Sequence, residues 1–184
     1  NQPMKMIEGG VTAAQGFVAG GIHCGVRKNK SKPDLAMIYS EKPCAAAAVY
    51  TQNLVKGAPI LVTQKNIADG AAKAVICNSG NANTCNADGE EKAQAMCDLT
   101  AQALGIAPQD VVVASTGVIG QVLPIEPIAA GIPELVKALS ADGSHAAATA
   151  IMTTDTIAKE AAAEAEIGGK TVKVGGISKI GRAH

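Results

Sequence analysis

Three short strings in this chain set hydroxyls, amides and glycine close together, a grouping suited to handling a polar substrate. The first is Ser115-Thr116-Gly117-Val118-Ile119-Gly120, at the end of the apolar run Asp110 to Ser115. A Thr-Gly pair leaving a strand puts a side-chain hydroxyl beside a backbone N–H, and the glycine lets a substrate come close to the main chain. Two donors aimed at one point are what the oxyanion of an acyl-transfer intermediate needs, and loss of one such donor raises a barrier by roughly 3–4 kcal/mol. Alone the string is weak, because an ordinary strand-to-loop turn uses the same residues. The second string, Met152-Thr153-Thr154-Asp155-Thr156, suits a polar ligand, although local capping bonds are the commoner use of such residues at a helix end. The third, Asn78-Ser79-Gly80-Asn81-Ala82-Asn83, is rich in amide donors. It contains neither of the glycine patterns that cradle phosphates, and Asn and Gly are standard turn formers.

Other chemistries find less support. Cys24, Cys44, Cys77, Cys85 and Cys97 make an odd set with no CxxC pair, which points to reduced thiols and a cytoplasmic setting. Cys77 falls within an apolar strand and Cys97 on the apolar face of a helix, so both read as core residues rather than nucleophiles. His23, His145 and His184 are scattered, so no metal site is expected. His145 precedes an alanine-rich stretch and reads as a capping or surface residue. The 16 basic and 16 acidic residues cancel and form no basic stripe, which speaks against nucleic acid as a partner. No apolar run approaches the roughly 20 residues needed to span a membrane, and Asn1 to Gly10 lacks the apolar region of a signal peptide.

The elements that must position these strings are legible in outline. The 184 residues fit a single domain over 1–184, and 47% apolar against 17% charged residues allows a buried core. With aromatics at 2%, that core is built of Ala, Val, Ile and Leu, so the chain is expected to draw part of its stability from a partner surface. The glycine-rich stretch Gly16 to Val26 predicts a strand with bulges or tight bends. Asp34 to Ser40 and Ala45 to Thr51 read as strands joined by a turn at Glu41, Lys42 and Pro43. Pro59 to Thr63 reads as a short strand, and Gln64 to Asp69 as a helical turn. Lys73 to Asn78 reads as a strand buried on both faces.

Glu90 to Leu104 is the clearest helix, with Ala93, Met96, Cys97, Thr100 and Leu104 on one stripe and Gly105 as its stop. Asp110 to Ser115 reads as a strand. Helices are expected at Glu126 to Leu139, with Pro127 in the first turn and Pro133 able to kink it, and at Ser144 to Met152, capped by Ser144. Glu160 to Ile167, Gly168-Gly169 and Lys170 to Val174 make a β-hairpin signature. Strands outnumber helices in a mixed order, which favours α+β, with helices packed on mixed sheets, over a regular βαβ repeat.

In combination the strings are far more specific than singly. Gly9-Gly10-Val11-Thr12-Ala13 with Gly16-Phe17 comes first. Then come the segments 78–83, 114–120 and 150–156, and finally Gly175-Gly176-Ile177-Ser178-Lys179. In that order and spacing they resemble the ornithine acetyltransferase / glutamate N-acetyltransferase family of arginine biosynthesis. The resemblance runs from about Glu8 to Lys179. Beyond it, where the family continues with Gly-Ser-Gly-Met and closes with Asn-Met-Ala, this chain reads Ile180-Gly181-Arg182-Ala183-His184.

The resemblance implies a self-cleaving fold of the N-terminal-nucleophile type, shared with DmpA-like aminopeptidases. A precursor cuts itself at an Ala-Thr bond, and the Thr that begins the β chain is the nucleophile. This chain then corresponds to the α chain of an α2β2 heterotetramer. Acetyl passes from N-acetylornithine to glutamate, and some members also accept acetyl-CoA; no bound cofactor is implied. Thr116, by its hydroxyl, and Gly117, by its N–H, correspond to the oxyanion hole. Thr153 and Lys179 correspond to substrate-binding positions, Lys179 suited to the α-carboxylate shared by N-acetylornithine and N-acetylglutamate. A Thr hydroxyl needs a base, and a terminal amine with a pKa of about 8 supplies one. The nucleophile is not on this chain, which alone is not catalytic. Two other readings remain: an amide hydrolase or aminopeptidase of the same fold type, and a non-catalytic binding subunit.

Overall fold

The computed structural model describes residues 3–179, so the expectation of an atypical tail at 180–184 lies outside them. The chain runs β1 (Lys5–Ile7), β2 (Phe17–Ile22), β3 (Leu35–Ala45), α1 (Ala58–Asn66), β4 (Ala71–Asn78), α2 (Gly89–Leu104), β5 (Val111–Ser115), α3 (Ile125–Ala138), α4 (Ser144–Ala150), β6 (Lys159–Ile167) and β7 (Lys170–Ser178). The larger sheet has the order β2-β3-β4-β5, antiparallel except for the parallel pair β4/β5. Parallel neighbours need a crossover, which α2 provides. The smaller sheet, β1-β6-β7, is antiparallel throughout. The architecture is α+β with mixed sheets, as the mixed element order implied.

Alternation along the strands sorts side chains onto two faces of the larger sheet. On one face Leu35, Met37, Ala74, Ile76, Val111 and Val113 form a single core. Its helical half comes from Val62 of α1, Ala93, Met96 and Cys97 of α2, and Ile128, Ile132 and Leu135 of α3. On the other face Ala19 and Ala36 meet Ala147 and Ala150 of α4, with Ile38 and Ile177 at the margin. This second contact is thin and depends on missing side chains. A Cβ on Gly21 would stand 2.3 Å from the carbonyl oxygen of Ala146, so glycine is what lets α4 lie on β2.

Both edges of the larger sheet are occupied. Thr63 on α1 donates its hydroxyl to Val113 O (2.8 Å) and accepts from Val113 N (3.1 Å), and Asn66 donates to Val111 O (3.0 Å). Two helical side chains thus satisfy the outer backbone of β5. At the β2 edge, Ala19 and Ser140 exchange a pair of backbone bonds, each 3.0 Å.

Several expectations need correction. Residues 59–63 are helical, not a strand: Pro59, Val62, Thr63 and Asn66 are the buried set in α1, which is helical spacing with the proline in the first turn. The β-branched composition suggested a strand, but the period decided. Residues 41–43 form no turn between two strands; β3 continues to Ala45, with its register against β4 shifting between Tyr39 and Cys44. Pro43 sits within that irregularity, where its missing N–H breaks no ladder bond. The expected strand at Ala45 to Thr51 is not formed, since only Ala45 belongs to β3 and Val49 is fully exposed. The strand in the glycine-rich stretch ends at Ile22.

β4 is fully buried on one face only, with Ala72, Ala74, Ile76 and Asn78 inside and Lys73, Val75 and Cys77 partly buried. Ser144 is not the cap of α4. Gly143 holds that position, and the Ser144 hydroxyl instead accepts from Val11 N (2.9 Å). α2, α3 and the hairpin stand where periodicity put them. In the hairpin Gly168 and Gly169 take the positive φ values of the two-residue turn, and α3 runs on through Pro133.

Gly143 has ordinary dihedrals, yet a Cβ there would lie 1.7 Å from the carbonyl oxygen of Ala19. Gly143→Ala is therefore expected to destabilise the protein by roughly 1–3 kcal/mol through forced displacement of backbone. Gly176→Ala, with nothing within 4 Å of the new methyl, should stay near wild type. Urea unfolding of the two variants checks the contrast, and equal midpoints would refute it.

Candidate functional site

The candidate site grows out of the end of the parallel pair. Asn78 closes β4 opposite Ser115, which closes β5. The buried Asn78 amide donates to Ser115 Oγ (2.7 Å) and its Oδ1 accepts from the N–H groups of Gly80 (3.1 Å) and Asn81 (2.9 Å). Its backbone oxygen accepts from Thr116 N (3.0 Å). One side chain thus turns the 78–83 loop and fixes where the 115–120 segment leaves the sheet.

Gly117 follows with φ +126, a value L side chains rarely adopt, and a Cβ there would meet Gly80 C at 2.6 Å and Asn81 N at 2.8 Å. The two loops are in backbone contact. Asn81 extends the link by donating to Gln121 O (2.9 Å), while Ala82 N donates to Val118 O (2.8 Å). Asn81 and Asn83 are buried, with both side-chain amides donating to backbone oxygens, so the third string serves as scaffold.

Thr116 faces a cavity of about 500 Å³ on the sheet face away from the three-helix core. Ile38, Val75, Cys77, Ala114 and Ile177 make its apolar wall, and Ser115, Thr116, Ser178 and Lys179 bring its polar groups. Lys179, just past β7, reaches back so that Nζ lies 2.6 Å from Thr116 Oγ1 and 3.4 Å from Thr153 Oγ1. Three of the four site residues read from the sequence therefore converge on one ammonium, from chain positions up to 63 residues apart. The fourth, Gly117, adjoins Thr116 in the strained corner. Thr153 is held by Asp155, whose buried carboxylate accepts from Thr153 N (3.4 Å) and pairs with Lys159 (2.9 Å).

Cys77 is not a core residue but part of the cavity wall. Burial pushes its thiol up to about 12, with the Lys179 charge acting the other way, so it remains a poor nucleophile. Cys97 lies in the core, where burial again raises the thiol to about 12. His145 is a surface residue with Nδ1 2.9 Å from Glu160 Oε2. Among the described residues no group of three or more His, Cys, Asp or Glu is placed to hold a metal, and no helix is long and apolar enough to cross a membrane.

Sequence reasoning missed the support behind the site. Asp34 is fully buried, and its carboxylate accepts from the N–H groups of Cys24 (2.7 Å), Arg27 (2.8 Å) and Gly25 (3.2 Å). The loop held in this way carries Arg27, whose Nη2 donates to Ser79 O (2.7 Å), Ser79 Oγ (3.2 Å) and Met152 O (2.7 Å). A lone acidic residue opening an apolar strand was the available signal for Asp34. Nothing local marked Arg27 among the neighbouring lysines.

Comparison with known proteins adds a consistent picture. A family model described as "ArgJ family" matches residues 18–181. Curated relatives called arginine biosynthesis bifunctional protein ArgJ include one from Symbiobacterium thermophilum, 50% identical over 96% of this chain and 44% of the relative. Another, from Gloeobacter violaceus, is 54% identical over 95% of this chain and 43% of the relative. The chain thus spans less than half the length of these relatives. Among solved structures, the arginine biosynthesis bifunctional protein of Bacillus halodurans superposes with a TM-score of 0.93 at 42% identity, covering 100% of this chain and 97% of that one. Ornithine acetyltransferase of Mycobacterium tuberculosis, complexed with ornithine, gives 0.88 at 36% identity over 97% and 96% of the two chains.

Burial by itself would raise the Asp34 pKa, but the N–H donors of Arg27, Cys24 and Gly25 outweigh it and hold the carboxyl below its ordinary value. A folded-state pKa below the unfolded one stabilises the protein above the unfolded value and ceases to do so as pH falls through the folded one. Asp34→Asn should therefore cost roughly 1–3 kcal/mol at neutral pH, from an amide facing donors. The gap to wild type should narrow below about pH 4. Unfolding curves at neutral and acid pH measure it, and a gap that widens in acid would contradict this role.

Proposed function

The chain belongs to the ArgJ family, and from that premise we propose that it is the α subunit of an acetyltransferase that moves acetyl from N-acetylornithine to glutamate. A companion β chain of the same precursor supplies the nucleophile as its N-terminal Thr, and two copies of each make an α2β2 assembly. The relatives support the division. Their full sequences are more than twice the matched length, while a solved chain of the Bacillus halodurans protein is covered almost completely. The free thiols of all five cysteines fit a cytoplasmic setting.

The observation that carries the reading is the convergence of Thr116 and Thr153 on Lys179 beside a largely apolar cavity that Thr116 and Lys179 line. Lys179 donates to Thr116 Oγ1, so the threonine's own proton is directed elsewhere. Together with the Gly117 N–H it makes a two-donor cradle for an oxyanion. An ammonium carries three N–H donors. With two turned to Thr116 and Thr153, Lys179 has one more for the α-carboxylate common to N-acetylornithine and N-acetylglutamate.

In the reaction so read, the β-chain Thr hydroxyl attacks the acetamide carbonyl carbon while the terminal amine takes its proton. The tetrahedral oxyanion forms against Thr116 and Gly117. The C–N bond breaks, the proton goes to the departing nitrogen, and ornithine leaves an acetyl ester on Thr. The glutamate amine attacks that ester and restores the hydroxyl as N-acetylglutamate departs. Acetyl-CoA is an alternative donor to the same ester, and no bound cofactor is required.

The test is acetyl transfer by the full two-chain protein, with N-acetylornithine offered in the presence and absence of glutamate. Beyond a single burst of one ornithine per site, continued ornithine release should depend on glutamate, and sustained glutamate-independent release would mark a hydrolase instead. Thr116→Ala should lower kcat by roughly 10²–10³-fold with KM little changed, and a near-normal kcat would remove Thr116 from the cradle. Lys179→Ala should raise KM for both amino-acid substrates, and a change confined to acetyl-CoA use would rule out carboxylate binding.

A further inference from the structure

We propose that Arg27 is a positioning residue that sets the oxyanion corner and the Thr153 segment at a fixed distance from each other; the proposal rests on the functional reading above. The two segments reach Lys179 independently, Thr116 from the end of β5 and Thr153 from beyond α4. Arg27 Nη2 stands 2.7 Å from Ser79 O and 2.7 Å from Met152 O, so one guanidinium nitrogen ties the loop behind Gly117 to the residue before Thr153. Ser79 Oγ reinforces the tie by donating to Ala150 O (2.6 Å).

The backbones form a stack with no slack. A Cβ on Gly80 would meet Arg27 N at 2.9 Å, and one on Gly117 would meet Gly80 C at 2.6 Å. A shift of the Arg27 loop therefore passes through Gly80 to Gly117. Asp34 fixes the base of the tie by holding Arg27 N. Arginine suits the post because its charged, rigid planar end aims the two N–H groups of Nη2 at the two carbonyls, whereas a lysine ammonium on its flexible stem lacks that fixed geometry. The cost of losing such a tie is misalignment, and a displacement of about 1 Å at a reacting centre can lower a rate by roughly 10²-fold.

The experiment measures kcat and KM for acetyl transfer from N-acetylornithine to glutamate by the full two-chain protein, alongside its unfolding midpoint and assembly state. Arg27→Ala should lower kcat by roughly 10–100-fold in protein that still assembles. Guanidinium ion at sub-denaturing concentration should recover part of that kcat, because it refills the vacated space between Ser79 O and Met152 O. Arg27→Lys should remain well below wild type and gain nothing from guanidinium. Should Arg27→Ala fail to assemble, Arg27→Gln, which keeps one donor group, takes its place in the same assay.

A kcat within twofold of wild type in Arg27→Ala, or in Arg27→Gln where that variant takes its place, would overturn the proposal. So would a loss of rate that merely follows the loss of folded protein and does not respond to guanidinium. Wild-type protein unable to transfer acetyl at all would overturn the functional reading and this proposal together. An active wild type with an equally active variant would overturn this proposal alone.

Discussion

The arrangement depends on the Asn78 side chain at the end of the parallel strand pair. It donates to the last residue of β5, accepts from two amides of its own loop, and its backbone oxygen takes the first amide beyond β5. Parallel strands end side by side, so loops leaving the same end of β4 and β5 are neighbours by topology. Asn78 turns that proximity into contact. It sits fully buried and bonds to the Ser115 hydroxyl and to two backbone amides, and an aliphatic residue of similar size would leave those groups without their partner. The close approach of Gly80 and Gly117 completes the corner, since neither position has room for a Cβ.

The larger sheet is asymmetric in a way that bears on function. Its helical side is a dense core of aliphatic residues and methionine, while α4 covers only part of the opposite side through alanine contacts. What α4 leaves open is the strip holding Val75, Cys77 and Ala114, and this strip is the cavity wall beside Thr116. A chain so poor in aromatic residues builds its first core completely and leaves the second unfinished. The proposed site lies on this unfinished side.

Strong periodicity made α2, α3 and the β6–β7 hairpin legible, because each combines a repeat with a stop or turn signal. α1 is not legible from composition because valine, isoleucine and threonine suggest strands, although Pro59, Val62, Thr63 and Asn66 are buried at helical spacing. The run of alanines after β3 was misread because small apolar residues are compatible with a strand without requiring one. At the site, Thr116 and Gly117 were visible as a local string. The approach of Lys179 and Thr153 was visible only through resemblance to a family, since no local signal brings together residues 63 and 26 positions apart. The Arg27 tie crosses 125 positions to Met152 and was beyond local reading altogether.

The capped borders of the larger sheet have a consequence for assembly. Thr63 and Asn66 occupy the outer backbone of β5 at Val113 and Val111, and Ser140 occupies that of β2 at Ala19. A newcomer cannot join this sheet as an added strand without first evicting one of those groups. Association with the sheet must then proceed broadside, by burying side chains rather than by extending the backbone ladder. That route makes recognition depend on shape and excludes the indiscriminate pairing by which open borders polymerise.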